Sequence, residues 1–331
     1  MRVTELNVTI EGSDLQDILF TPVIEGESRA GWRVIETRGE TNVGLAPAIQ
    51  KILRKSTGCG SINSVTMTPT AKNFVPVQMK GRVSFCAENL QATIFQAGRN
   101  AGVKRSEVDG TIFAALLQDV AVNGVMADLN RVSWLGNTGS SDADYQQFNG
   151  IWKQVLADSD ITEYTGYSNA PLASGDSVEM FIKLMTGANT GDAMKEVLSG
   201  GQYGQAVIHC SSSVYNNYLE YLESFGNVEG SYRLLQDGSK ALMFRGAKLV
   251  EHPEWNTTNC TDSDISFNGA TADFNLALLT VETNLVFAVD STDPSAQIKL
   301  WYDDDAELTY AKSAVRAIAG YVTGLMITAA I

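Results

Sequence analysis

Residues 108–139 read VDGTIFAALLQDVAVNGVMADLNRVSWLGNTG, the longest stretch of helical spacing in the chain. Phe113, Leu116, Leu117, Val120, Leu129 and Val132 recur on one face, while Gln118, Asp119, Asn123, Asp128 and Arg131 fall on the others. That is the pattern of an amphipathic helix with one buried stripe. Gly136, Gly139 and the Ser/Asp cluster behind them stop it. A helix over about Val108 to Leu135 predicts a spine for its domain.

Upstream, residues 1 to 28 alternate weakly through Val3, Leu6, Val8 and Ile10 and are interrupted by Gly12, Pro22 and Gly26, which suggests an extended arm. GWRVIETR, Gly31 to Arg38, alternates as a strand. Leu45, Ile49, Ile52 and Leu53 have helical spacing, with Pro47 tolerated near the start. A polar Ser/Thr-rich stretch follows Gly58, Cys59 and Gly60 and runs to Asn73. VPVQMKGRVSFCAENL then returns as a strand, Val83, Phe85 and Ala87 alternating with Arg82, Ser84 and Cys86. From about Ala170 shorter helices alternate with strands. Val178, Phe181, Ile182 and Met185 form one helical stripe, and Tyr215, Tyr218, Leu219, Leu222 and Phe225 another, with Ser212 as its expected cap. AVIHC reads as a short buried strand, ALMFRGAKLVEH as a hairpin turning at Arg245 and Gly246, and LLTVETNLVFAV as β-rich. This order predicts an α+β fold with helices on mostly antiparallel strands.

The chain has 331 residues, 44% of them hydrophobic, and carries 38 acids against 24 bases, a formal charge of −14. Phosphate-gripping proteins show basic stripes. The densest basic stretch here, Lys51, Arg54 and Lys55, reads as a solvated helix face. Cys59, Cys86, Cys210 and Cys260 are widely spaced without a C-x-x-C pair, so they are expected to be reduced core or interface residues. No basic n-region or apolar h-region marks a secretory signal, and a cytoplasmic site of synthesis is expected. The apolar run Ala317 to Ile331 falls short of the roughly 20 residues that a spanning helix needs, so no membrane is expected.

Chemistry-bearing motifs are not found. His209 and Cys210 are strand neighbours whose side chains point to opposite faces, which rules out a dyad between them; His209 and His252 both read as satisfied core or edge histidines. GANTGDAMK lacks the G-K-[ST] ending of a phosphate loop. GGQYGQ precedes a strand, whereas a dinucleotide fingerprint follows one. Asp303, Asp304, Asp305 and Glu307 lack calcium-loop spacing and read as a solvated turn between strands. No catalytic residue, cofactor or metal is expected.

Several stretches together resemble the major capsid proteins of tailed bacteriophages, the family of the HK97 fold, in the style of phages of gut Bacteroidetes. WLGNTGSSDADYQQFNGIW, Trp134 to Trp152, is similar to the family's turn after the spine helix; SVTMTPTAKNFVPVQMKGRVSF, Ser64 to Phe85, to its two-stranded extended loop; and FRGAKLVEHPEW to its strand, glycine turn and proline. ETNLVFAVDSTDPSAQIKLWYDDD and AVRAIAGYVTGL resemble its return into the peripheral domain. The resemblance implies an N-terminal arm over 1–30, an extended-loop region over 31–80, a peripheral domain with the spine helix over 81–169, an axial domain over 170–299 and peripheral return strands over 300–331. It implies a non-enzymatic shell protein, assembled as hexamers and pentamers into an icosahedral phage head around double-stranded DNA. A portal protein, with scaffolding or decoration proteins, would be its partners and the virion its location. An encapsulin-like compartment, or an α+β enzyme built around a residue such as His209, are the alternatives. Lys72, Asn73, Phe74, Lys80 and Arg82 are the expected assembly contacts.

Within that reading, LTYAKSAVRAIAGYVTGL is expected to be a pair of strands closing the sheet beside the spine, burying Val315, Ile318, Tyr321 and Leu325. Cutting the chain after Lys312 should then destroy the fold, whereas removing only Thr328 to Ile331 should leave a folded subunit. Replacing Gly58 to Lys80 by a short turn should spare the body and abolish shells.

Overall fold

The computed structural model describes residues 8–9, 32–37, 39–45, 70–86, 112–167, 171–186, 194, 198, 206–225, 232–234, 240–269, 274–289, 299–303, 305–306 and 308–331. The expected helix beyond Leu45, most of GANTGDAMK and GGQYGQ, and Cys59 lie outside them.

A single strand organises the larger part of the body. β14 (Leu308–Tyr321) is 14 residues long and pairs along one edge with β5 (Val77–Cys86), from Leu308↔Cys86 to Ala317↔Val77. A strand has two edges, and the other is taken end to end by β13 (Lys299–Asp303) and β12 (Leu285–Val289), both antiparallel. β1 (Val8–Thr9) adds to β13, and β2 (Arg33–Glu36) adds parallel to β12, completing six strands. The long helix α1 (Ile112–Leu135) packs on this sheet against β14. Strand periodicity sorts β14. Val315, Ala317, Ala319 and Tyr321 join the main core, which also holds Leu129, Val132, Trp134 and Leu135 of α1. Ile318 is half-buried on the opposite face, beside Val286 and Ala288.

The expected pair of closing strands is therefore corrected to one. Val315, Ile318, Tyr321 and Leu325 are spaced for a helix, and in a strand that spacing splits them between faces; Leu325 is 52% exposed. The chain turns after Tyr321 and enters the second sheet as β15 (Thr328–Ala330).

The second sheet has seven strands in the order β6 (Thr162–Tyr164), β15, β11 (Ala277–Val281), β7 (Ala206–Ser211), β10 (Ala247–His252), β9 (Lys240–Phe244) and β8 (Tyr232–Leu234). β7 and β11 are buried at every position, as strands covered on both faces must be. Helices α3 (Asp176–Thr186) and α4 (Ser212–Ser224) belong to its second core through Met180, Phe181, Leu184, Val214 and Tyr218. Ser211 occupies the N-cap position of α4, correcting the expected Ser212. The Ser212 hydroxyl is instead 2.6 Å from Glu251.

LLTVETNLVFAV is strand, turn, strand as its composition suggests, but β11 and β12 enter different sheets. Asn284 in that turn makes the crossover firm. Its side chain bonds both the N–H and the carbonyl of Thr323, and its backbone carbonyl accepts from Val322. Thus the crossover from β11 to β12 and the crossover from β14 to β15 are tied together. Two short helices, α2 (Ile151–Val155) and α5 (Thr257–Asp262), pack against the end of α1. The turn between α1 and α2 needs its glycines. Gly150 N–H donates to the Gly136 carbonyl at 2.8 Å, and a Cβ on Gly150 would lie 2.7 Å from Gly136 N, Trp134 O and Val132 O.

Among the described residues, no helix is long and apolar enough to cross a membrane, and no group of three or more His, Cys, Asp or Glu could hold a metal ion.

Candidate functional site

β3 (Thr41–Leu45) and β4 (Thr70–Phe74) pair antiparallel, Thr41 opposite Phe74 and Leu45 opposite Thr70, as a two-stranded sheet of their own. Residues 46–69 join them. The stem is held at its base by Phe74, 2% exposed, in a small cluster with Val43, Val286 and Ala288. Gly320 makes room for it: a Cβ there would sit 2.7 Å from the Phe74 ring. Lys72 places its ammonium 3.7 Å from the centroid of the Tyr321 ring. Burial lowers the Lys72 pKa, and Asp158 opposes the shift. The Tyr321 hydroxyl donates to Asp158 at 2.7 Å, so ammonium, ring and carboxylate form one anchor.

The five expected contact residues thus separate. Phe74 turns into the subunit's own interior, and Lys72 is half-buried at the stem. Asn73 is exposed, its amide 3.4 Å from Glu40, and Lys80 and Arg82 are exposed on β5. Phe74→Ala is expected to cost about 3–5 kcal/mol. Gly320→Ala should displace the same ring with less loss of burial. Limited proteolysis of both variants should show earlier cleavage between β3 and β4 than in the wild type, and unchanged cleavage would refute the anchoring.

The two histidines, 43 residues apart, meet. His209 Nδ1 lies 2.8 Å from His252 Nε2, His252 Nδ1 lies 2.7 Å from Glu254, and Asn130 donates to the same carboxylate oxygen at 2.9 Å. His252 donates to Glu254 through Nδ1, and a single proton lies between His252 Nε2 and His209 Nδ1. Burial raises the Glu254 pKa, but the bonds from His252 and Asn130 outweigh it and leave the group below its ordinary value. Burial, reinforced by His252 and Lys248, holds His209 neutral, its pKa well below 6.5. Trp134 packs on both rings, with centroids 5.1 Å from His209 and 4.7 Å from His252, and Trp255 stacks on His252 at 4.6 Å. Asn130 and Trp134 come from α1, His209 from β7, and His252 ends β10, so the knot ties the long helix to the second sheet. Cys210 points the other way, its thiol toward the Val250 carbonyl, and burial raises its pKa. The sequence carried no sign of the His209–His252 contact or of Trp134 as its hub.

A neutral buried histidine has a pH consequence. The unfolded chain protonates His209 below about pH 6.5 while the folded one does not, so stability present above that pH is lost as pH falls. Its share amounts to about 1.4 kcal/mol per pH unit below the unfolded pKa. Urea unfolding at pH 7.0 and 5.5 should show that loss in the wild type and a smaller one in His209→Gln. Equal losses would remove His209 as the cause.

A pocket of about 430 Å³ lies nearby, lined by Ser211, Asn216, Asn217, Glu220, Trp255 and Asn275 among others. It brings a carboxylate and hydroxyls together without an imidazole. Ser211 and Ser213 are engaged with each other at 3.0 Å.

No family model matches the sequence, and no characterised relative matches it. Among solved structures, the chain is similar to one from Mycobacterium phage Che8, at 11% identity and TM-score 0.45, covering all of this chain and 93% of that one. It is similar to a chain of the satellite phage P4 procapsid, at 8% identity and TM-score 0.49, covering 94% and 98%. It is also similar to a virus-like particle from Pyrococcus furiosus, at 12% identity and TM-score 0.46, covering 96% and 98%.

Proposed function

We propose that this chain is a structural shell subunit of HK97-like fold, the major capsid protein of a tailed phage, assembling as hexamers and pentamers into an icosahedral head around double-stranded DNA. The observation that carries the reading is the stem β3–β4. It is clipped to the body by Phe74 and Lys72, and its two strands, joined by residues 46–69, pair among the described residues only with each other. A subunit that builds rings does so through heterologous contacts, in which one surface meets a different surface of the neighbour, and the stem with residues 46–69 is the segment we assign to such a contact. The six-stranded sheet with its long helix would be the peripheral domain and the seven-stranded sheet the axial one. The stem precedes the long helix and the return strands follow it, the order that the resemblance implies, but β4 pairs with β3 and β5 with β14, so the two strands of the stem are not those of Ser64 to Phe85. The acidic balance suits a container that must not adhere to packed DNA. Portal, scaffolding and decoration proteins would be further partners, with assembly in the host cytoplasm.

Electron microscopy and sedimentation of the purified chain test the proposal. Rings or shells are expected. The loop replacement must spare Phe74 and β5, so residues 46–69, not 58–80, are exchanged for a short Gly/Ser turn. Changing the length of the connection between two paired strands costs little; the variant should melt like the wild type yet form no closed shells. A wild type that stays monomeric at high concentration would sink the reading. Shells loaded with protein in place of DNA would favour an encapsulin-like compartment.

A further inference from the structure

Strand pairing gathers on one sheet face basic side chains that are scattered in the sequence. Directly opposed residues on neighbouring strands share a face. Arg82 on β5, Lys312 on β14 and Lys299 on β13 therefore stand in one row. Ser84, Tyr310 and Trp301 make the next row, and Lys80, opposite Ala314, stands in the row on the other side. Lys80, Arg82 and Lys312 are exposed and Lys299 is half-exposed. Among the described residues none of the four forms an ion pair. Trp301 and Tyr310 stack at 5.2 Å, and the Arg82 guanidinium lies over Tyr310 at 4.8 Å. A guanidinium already laid on a ring loses less freedom when it takes a carboxylate.

A different surface has the opposite character. The turn after α1 and the end of α5 bring Asp142, Asp144, Asp262 and Asp264 together. Ser140 bonds both the Asp262 carbonyl and the Asp264 carboxylate, Ser141 N–H donates to Asp264 at 2.7 Å, and Asp142 caps the turn at Asp144. Asp144, Asp262 and Asp264 are exposed.

We infer that the basic face of Lys80, Arg82, Lys299 and Lys312 docks on this acidic knob of a second copy of the chain. The inference rests on the shell reading and names the partner surfaces of one subunit contact. Face and knob are different surfaces, so the contact is heterologous and propagates around a ring instead of closing a dimer. Charge complementarity selects the occupant. At physiological salt the Debye length is about 8 Å, so a compact knob senses the face and little beyond it. A duplex would extend past the face over a chain of net charge −14. Single-stranded bases would need open aromatic rings, and Tyr310 is engaged by both Trp301 and Arg82.

The test is a charge swap in the full chain. R82E/K312E and D144K/D262K are each expected to raise the concentration for half-assembly, followed by sedimentation, at least about tenfold. The quadruple variant should return it toward the wild-type value. Melting temperatures establish folding, with K80E/K299E replacing the first pair should that pair unfold. Wild-type assembly by R82E/K312E, or a quadruple variant no better than the worse double, overturns the contact and leaves the shell reading standing. A monomeric wild type overturns both. Retention of a short duplex DNA by the wild type, abolished in R82E/K312E with assembly unchanged, makes the face a nucleic-acid surface and overturns the contact.

Discussion

Removing Thr328–Ile331 is expected to leave a chain that no longer folds cooperatively, although four terminal residues are a small deletion and the sequence suggested that they were dispensable. β15 lies inside the seven-stranded sheet. It pairs antiparallel with β11 through Ala277↔Ala330 and Leu279↔Thr328, and parallel with β6 through Thr328↔Thr162 and Ala330↔Tyr164. Ile331 N–H donates to Tyr164 and its carbonyl accepts from Tyr167. Thr328, Ala329 and Ala330 are fully buried and Ile331 is 1% exposed. Ala329 and Ile331 belong to the main core and Ala330 to the second, so the deletion opens both. Burying the isoleucine contributes about 2–3 kcal/mol, and each lost ladder bond about 1 kcal/mol net. Several such bonds together approach the 5–15 kcal/mol that holds a typical domain. Near-UV circular dichroism and urea unfolding should show a molten or insoluble product. A soluble variant with a sharp transition would show that β6 and β11 close without the strand between them.

What the sequence disclosed depended on how far apart in the chain the deciding residues lie. α1, α3, α4, β5, β7 and the turn at Arg245 and Gly246 were legible because each declares itself through local periodicity or turn chemistry. β14 was harder. Its apolar positions suit a helix as well as a strand, and only pairing with β5, β12 and β13 decides. That β11 and β12 part into different sheets depends on Asn284 holding Thr323, a contact across 39 residues with no local signature. The same holds at the candidate site. Lys72, Asn73, Lys80 and Arg82 were legible as polar residues beside a predicted strand, but the inward turn of Phe74 follows from Gly320, far away in the chain. Lys299 and Lys312 join Arg82 only through strand register.

Trp134→Ala should be the most damaging single substitution, and its position explains why. Its ring is fully buried and meets Trp32 at 5.0 Å, Trp255 at 4.8 Å and both histidines, while its backbone lies at the last turn of α1. Large aromatic truncations in a core cost about 3–5 kcal/mol. Here the cavity would also open beside a hydrogen-bonded chain whose end, His209 Nε2, is buried without a partner among the described residues. Water entering that cavity would solvate His209 and ease its protonation, so the variant should lose stability at pH 7 and yet lose less additional stability than the wild type on going to pH 5.5. The pair of effects separates this account from simple loss of packing, which lowers stability equally at both values. Urea unfolding of wild type, Trp134→Ala and Trp134→Phe at the two pH values measures it; Trp134→Phe, which fills most of the cavity, should keep the wild-type pH slope. An unaltered slope in Trp134→Ala would mean that the indole packs the helix onto the sheet without shielding the histidine pair.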